Sequence, residues 1–244
     1  MHLIKLDATA STNVYLKKLS KSSTLADFTI VVAKEQLEGK GQMGSSWQSE
    51  EGKNLTFSIL KHHEALFAQD HFYLNITVSL AIYQVLKALE IPDLSIKWPN
   101  DILSGNSKIC GILIENMLSG EKITTSIIGI GLNVNQTRFN SLPKVSSLHL
   151  LKGKTFDLDS ILIAVAENLE ELFAKLKNGQ KEFLKEAYLS VLFKKNKAST
   201  FNQLSTNQLF VGIIRSVSEE GKLEVEVEDQ LWKAYDLKEI KLMY

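Results

Sequence analysis

The strongest constraint on the fold is a pair of adjoining β-branched runs. Ile109 to Met117 leads into Ser119-Gly120, a turn signal, and Lys122 to Asn133 then resumes the same character. Two such runs across a short polar step read as a β-hairpin. Gly129 and Gly131 interrupt the second run. Glycine weakens a strand, so its presence there makes sense where another backbone or a ligand must approach closely. Leu3 to Leu6, Phe28 to Ala33 and Asn54 to Leu60 read as further strands. Two long helices accompany them. Leu74, Val78, Ala81, Ile82, Val85 and Leu89 recur at helical spacing between residues 72 and 90, and Pro92 stops the run. Ile161, Leu162, Val165, Leu169, Leu172 and Leu176 do the same over Leu158 to Leu176, where Asn178-Gly179 ends the helix. Lys181 to Phe193 reads as a shorter helix, and Ser11-Thr12-Asn13 as the cap of another. Strands and helices thus both run through this part of the chain.

Past residue 194 the character changes. Lys194-Lys195-Asn196-Lys197 is polar, and only short strands follow. Leu223, Val225 and Val227 alternate with Glu224, Glu226 and Glu228, as in a strand with one wet face. Residues 1–193 are therefore expected to form one domain, and residues 194–244 a small β-barrel.

Composition excludes several classes. Of 244 residues, 28 Lys+Arg balance 28 Asp+Glu, so the net charge is zero. Binding by phosphate neutralisation calls for a basic surplus. Hydrophobic residues make up 44%, too many for a disordered chain. The one cysteine excludes a disulfide scaffold. No basic n-region with an apolar h-region opens the chain, and no run reaches the roughly 20 apolar residues of a membrane helix. A cytoplasmic protein is expected.

Four clusters could carry chemistry. Ser11-Thr12-Asn13 can be a plain helix cap. Gly39-Lys40-Gly41-Gln42-Met43-Gly44, closed by Trp47, can wrap an anion, but it has neither P-loop spacing nor a helix opening at its end. Lys97-Trp98-Pro99-Asn100-Asp101 is followed by Lys108-Ile109-Cys110-Gly111, which places Lys108 at the start of a buried strand. A large aromatic before proline usually packs on something. Gly129-Ile130-Gly131-Leu132-Asn133 is the fourth. His62, His63 and His71 are expected on a polar loop with no zinc spacing. Cys110 is expected to be a small core residue.

Together these strings resemble the biotin protein ligases. The resemblance rests on Ser11-Thr12-Asn13, Gln36, the glycine loop with Trp47, Lys97-Trp98-Pro99-Asn100-Asp101, Lys108-Ile-Cys-Gly-Ile-Leu-Ile-Glu and Gly129-Ile-Gly-Leu-Asn-Val, in the family's order over residues 7 to 135. It implies an α+β (α/β) fold, a mixed sheet with flanking helices related to class II aminoacyl-tRNA synthetases, with an SH3-like C-terminal domain. It implies activation of biotin with ATP and Mg²⁺ to biotinyl-5′-AMP, then transfer to one lysine of a biotin carboxyl carrier protein domain. It implies biotin contacts from Ser11, Thr12, Asn13, Gln36, Gly39, Lys40, Gly41, Gln42, Lys108 and Gly111. Lys40, Gln42, Trp47, Asn100, Lys108 and Asn133 are implied for ATP or the adenylate. Lys108 is implied as the main catalytic residue, and Asp101 as a group that orients or deprotonates the incoming lysine. Mg²⁺ is expected to ride on the ATP phosphates, with no metal site of the protein's own.

Two departures stand out. The family's loop usually reads Gly-Arg-Gly-Arg-x-Gly-Arg, and Lys40, Gln42 and Ser45 replace those arginines here. Many relatives also carry an N-terminal DNA-binding domain. With Ser-Thr-Asn at residue 11, a monofunctional ligase without DNA binding is expected. Lipoate or octanoyl ligases and transferases share related strings, as would a non-catalytic biotin-binding module. Pairing Ser-Thr-Asn with Gly-x-Gly-x-x-Gly-x-x-Trp favours biotin; retention of Lys108, Asn100 and Asp101 favours an enzyme. A homodimer is an alternative to a monomer, with the Ile127–Asn133 run as a candidate seam.

Overall fold

A computed structural model describes residues 2–139 and 143–244. The larger unit is a seven-stranded sheet of order β1-β2-β3-β7-β6-β5-β4. The strands are β1 (His2–Thr9), β2 (Thr29–Gln36), β3 (Leu55–Phe67), β4 (Leu94–Lys97), β5 (Asp101–Ser104), β6 (Ser107–Ser119) and β7 (Lys122–Leu132). β1 and β2 are parallel; the other neighbours are antiparallel. The expected hairpin is β6–β7, in a register that places Gly111 opposite Gly131 and Leu113 opposite Gly129.

Strand alternation sends successive side chains to opposite faces. One face of β7 carries Ile128, Ile130 and Leu132 into the main core, with Ile30, Phe57 and Ile59. That core is covered by α2 (Phe72–Ala88), α4 (Leu158–Lys177) and α5 (Lys181–Ser190). α2 packs on strands β4–β6 and also on α4 and α5. Burial on both sides explains why Tyr73, Leu74, Val78, Ala81, Ile82 and Leu86 are all inaccessible to water, a wider belt than one helical stripe. The other face carries Ile127, Leu60 and Val31, which meet Leu16 of α1 (Thr12–Ser22). α1 and the glycine positions of β7 thus share a face of the sheet.

After α5 the chain builds a five-stranded antiparallel sheet of order β11-β10-β9-β8-β12. Its strands are β8 (Ala198–Gln203), β9 (Gln208–Val217), β10 (Leu223–Glu226), β11 (Trp232–Tyr235) and β12 (Ile240–Met243). Among the described residues no helix is long and apolar enough to cross a membrane.

Several expectations are corrected. His62 and His63 lie within β3, because that strand continues to Phe67 and pairs His62 with Thr125 of β7. β7 is hydrogen-bonded on both sides, so its 127–132 stretch has no free edge for a dimer seam; the free edges belong to β1 and β4. The last helix stops at Ser190, since the backbone at Val191 and Phe193 turns to bond Ile96 of β4. β10 ends at Glu226 rather than running on to Glu228. Strands β4 and β5, and the one-turn helix α3 (Leu148–Lys152), were not expected.

Candidate active site

A cavity of about 630 Å³ opens where the glycine positions of the hairpin, the start of α1, the glycine loop and the second sheet converge. Ser11, Thr12, Asn13, Gln36, Lys40, Gly41, Gln42, Trp47, Asn100, Asp101, Lys108 and Gly111 all contribute to its wall. Gly39 and Asn133 do not. Gly39 is buried beside the loop, where its carbonyl accepts from the Trp47 amide at 2.8 Å. Asn133 is buried behind β6, its side-chain amide donating to the Ser146 carbonyl at 3.0 Å.

At one end the wall is polar and fixed. Ser11 holds the N-cap position of α1 yet makes no side-chain cap bond, so its hydroxyl stays available to the cavity. The Thr12 amide donates to Gln36 Oε1 at 2.8 Å, and Thr12 Oγ1 lies 3.0 Å from the same oxygen. With Oε1 engaged, Gln36 offers its Nε2 hydrogens elsewhere. Ser58 of β3 stands behind, 2.7 Å from Thr12 Oγ1 and 2.6 Å from Asn13 Oδ1. Asn13 fits because residue 129 is glycine: a Cβ there would collide with the Asn13 amide.

Gly131 serves Trp47 in the same way. A Cβ on Gly131 would penetrate the Trp47 indole, and one on Gly111 would lie 3.1 Å from it. The ring therefore lies against the hairpin backbone, with its Nε1 buried and without a partner among the described residues. The glycine loop that carries Trp47 is pinned at its base by Gly41 N to Ser45 O at 2.7 Å and by Ser45 Oγ to Gln42 O at 2.7 Å. Lys40 and Met43 are exposed, and Met43 adopts φ 55°.

At the other end the wall is charged. Lys108 Nζ sits 2.6 Å from Asp101 Oδ1, and Lys97 Nζ lies 3.5 Å from Asp101 Oδ2. The Lys108 ammonium is also 5.7 Å from the centre of the Trp47 ring, within cation–π range. Asp101 is the one carboxylate among the lining residues and already faces two cations. Asn100 is occupied structurally, its Nδ2 donating to the Ile112 carbonyl at 2.6 Å. Trp98 donates its indole N–H to the Gly221 carbonyl at 2.8 Å, so the partner its position called for lies in the turn before β10 of the second sheet. Burial pushes the Cys110 thiol well above its ordinary range, which leaves it an unreactive core residue. Among the described residues no group of three or more His, Cys, Asp and Glu could hold a metal ion.

Sequence reasoning missed Ser58, because one serine in a buried strand carries no pattern. It also missed Phe193, Phe201, Ile240 and Leu242, which line the cavity from the far side, because nothing in a strand-rich tail indicates where it docks.

The family model described as "Biotin/lipoate A/B protein ligase family" matches residues 6–133. The chain belongs to the biotin/lipoate A/B protein ligase family. A bifunctional ligase/repressor, BirA, of Bacillus subtilis (strain 168) is 28% identical over 96% of this chain and 72% of its own length. A biotin–[acetyl-CoA-carboxylase] ligase of Mycobacterium tuberculosis is 25% identical over 90% of this chain and 81% of its own. The solved biotin protein ligase of Aquifex aeolicus in complex with biotin and ATP matches 99% of this chain and 98% of its own, with TM-score 0.81 and 27% identity. The matched family segment holds β6, β7, the glycine loop and both ends of the cavity wall.

Proposed function

We propose that this chain is a biotin protein ligase: it activates biotin with ATP to biotinyl-5′-AMP, releasing pyrophosphate, and passes the biotinyl group to a carrier lysine, releasing AMP. The observation that carries the reading is one cavity with a neutral hydrogen-bonding end at Thr12 and Gln36 and a cationic end at Lys97 and Lys108. A cyclic urea suits the first end, where N–H and C=O groups need fixed partners. A carboxylate meeting an α-phosphate suits the second, where two anions must approach.

Lys108 holds the biotin carboxylate and the α-phosphate together, and stabilises the charge that grows as the new anhydride forms. Asp101 keeps that ammonium aimed at the cavity. After pyrophosphate leaves, Asp101 orients or deprotonates the incoming lysine. The glycine floor at Gly111 and Gly131 lets Trp47 lie close to the backbone, which supports its role beside the adenine. Lys40, exposed, and Gln42, half-buried, lie on the loop and stand ready to cover the adenylate, whose protection from water prevents hydrolysis. Gly39, Gly41 and Ser11 shape the biotin end, and Asn100 and Asn133 hold β6 and its neighbours beneath the nucleotide. Mg²⁺ arrives with ATP, held mainly by phosphate oxygens.

The partner is the biotin carboxyl carrier domain of a carboxylase, in the cytoplasm. The zero net charge supports a chain that does not itself bind DNA. A homodimer formed through the sheet would use the β1 or β4 edge. Residues 1–193 are the catalytic domain and 194–244 an SH3-like module, a division supported by the change of sheet between Ser190 and Ala198.

Incubation with biotin, MgATP and a carrier domain, followed by streptavidin detection, tests the reading. Labelled carrier is expected. Labelling with lipoate or octanoate instead, or biotin binding without pyrophosphate release, would overturn it.

A further inference from the structure

The cationic end of the cavity has less charge to spare than its two lysines suggest. Lys97 and Lys108 share the Asp101 carboxylate, which offsets part of their charge. On the glycine loop Lys40 is the one lining cation. A triphosphate brings more negative charge than Lys108 can meet while Asp101 holds it.

A further cation stands beside them. Lys144 is exposed, and its carbonyl accepts from the Lys108 amide at 2.7 Å, which ties its segment to the start of β6. Its backbone adopts φ 57°, a left-handed conformation unfavourable for lysine and kept only where the surroundings enforce it. The Lys144 ammonium lies 4.6 Å from the centre of the half-buried Tyr244 ring, and the Lys97 ammonium 5.4 Å from the same centre. Phe193, which lines the cavity, braces Tyr244 edge-on with ring centres 5.1 Å apart. One aromatic ring thus gathers two ammonium groups. Among the described residues Lys144 is in no ion pair. Like charges gathered around one ring repel each other, and an anion that bridges them relieves the repulsion.

The direction of the reaction says which anion. A biotin carboxylate oxygen attacks the α-phosphorus, and the bond from that phosphorus to the oxygen leading to the β-phosphate breaks. Attacking and leaving oxygens lie roughly in line. With biotin toward Thr12 and Gln36 and the α-phosphate at Lys108, pyrophosphate leaves on the side away from α1, toward Lys97 and the second sheet. We propose that Lys97 and Lys144, set around the Tyr244 ring, bind the β- and γ-phosphates of ATP and hold pyrophosphate as it departs with the bonding electron pair. The two lysines touch the phosphates, and Tyr244 is a positioning residue. The proposal rests on the ligase reading of the same cavity.

The test measures binding of ATP, pyrophosphate and AMP, each with Mg²⁺, by calorimetry for wild type, Lys144→Gln, Tyr244→Leu and Tyr244→Phe. Losing one charged hydrogen bond weakens binding roughly tenfold. Lys144→Gln is expected to weaken ATP and pyrophosphate by about that factor and AMP by less than about twofold. An exposed site tolerates the change without unfolding. Tyr244→Leu, which removes the ring, is expected to weaken the same two ligands several-fold, while Tyr244→Phe, which keeps it, binds all three like wild type. In steady state KM for ATP rises in Lys144→Gln and KM for biotin does not. Equal weakening of AMP, or Tyr244→Phe behaving like Tyr244→Leu, would overturn the proposal. A wild type that labels the carrier, with ATP and pyrophosphate bound as tightly by Lys144→Gln, would overturn the proposal alone. Wild-type protein that binds neither ATP nor pyrophosphate would overturn the ligase reading and the proposal with it.

Discussion

In the proposed reaction the chemistry depends on the pair Lys108 and Asp101. Their 2.6 Å contact holds a flexible lysine in one place, and a placed cation stabilises a transition state better than a mobile one. Lys108→Ala is expected to slow adenylate formation by about 10²–10³-fold in single-turnover pyrophosphate release. An unchanged rate would remove Lys108 from the mechanism. Lys40→Ala, on the exposed loop, should instead raise KM for ATP or biotin with little change in kcat. Gly131 offers a sharper test. A methyl group there would occupy the space of the Trp47 indole. Gly131→Ala should therefore displace Trp47, raise KM for ATP several-fold, and shift the emission of one of the three tryptophans. Residues with a distinctive neighbourhood in sequence, such as Lys108 after Lys-Trp-Pro-Asn-Asp, were legible in advance. Ser58 was not given a place in the site, because its contact with Asn13 joins positions 45 apart.

The long elements were legible and the short ones were not. Helix α4 and the β6–β7 hairpin carry enough repeats for their period to show. β4 and β5 have four residues each, and flank Trp98-Pro99-Asn100, so no period could emerge. β3 was half legible. Its first half, Leu55–Leu60, is buried, whereas its second half carries Lys61, His62, His63 and Glu64, and is a strand because β7 is there to pair with it. That second half has a measurable consequence. His63 packs near Phe173 of α4, with ring centres 6.2 Å apart, and contacts Ser126 Oγ at 2.9 Å. Burial, helped by the Lys61 charge, depresses its pKa from 6.5 to about 4. Between those values the unfolded chain binds a proton that the folded chain refuses. Stability therefore falls as pH drops from about 6.5 toward about 4, and is unaffected by this group above that window. Urea midpoints at pH 7 and pH 5 should differ less in His63→Gln than in wild type. An identical pH slope in both would show that His63 is not the source.

At the scale of the molecule, the seven-stranded sheet and the C-terminal sheet share one apolar core and are tied together by polar contacts as well. The Tyr73 hydroxyl of α2 donates to Glu219 at 2.7 Å, and Lys185 of α5 pairs with the same carboxylate at 2.5 Å. Lys185 and Tyr73 together hold the Glu219 carboxyl below its ordinary value. Two residues on, the Gly221 carbonyl accepts from Trp98. The Lys97–Asp101 string thus does two things: Asp101 and Lys97 line the cavity, while Trp98 ties the same turn to the second sheet. The tie governs how Phe201, Ile240 and Leu242 close the far side of the cavity. Trp98→Phe keeps an aromatic ring but removes the N–H together with the five-membered part of the indole. The lost bond alone should cost about 0.5–1.5 kcal/mol in unfolding free energy, and the lost ring volume adds to it. If the cationic end takes the nucleotide as proposed, KM for ATP should rise several-fold while biotin binding measured without nucleotide stays near wild type. Equal loss of both affinities would mean that Trp98 supports the whole catalytic sheet. No change in either would mean that the Trp98–Gly221 bond does not govern how the second sheet closes the cavity.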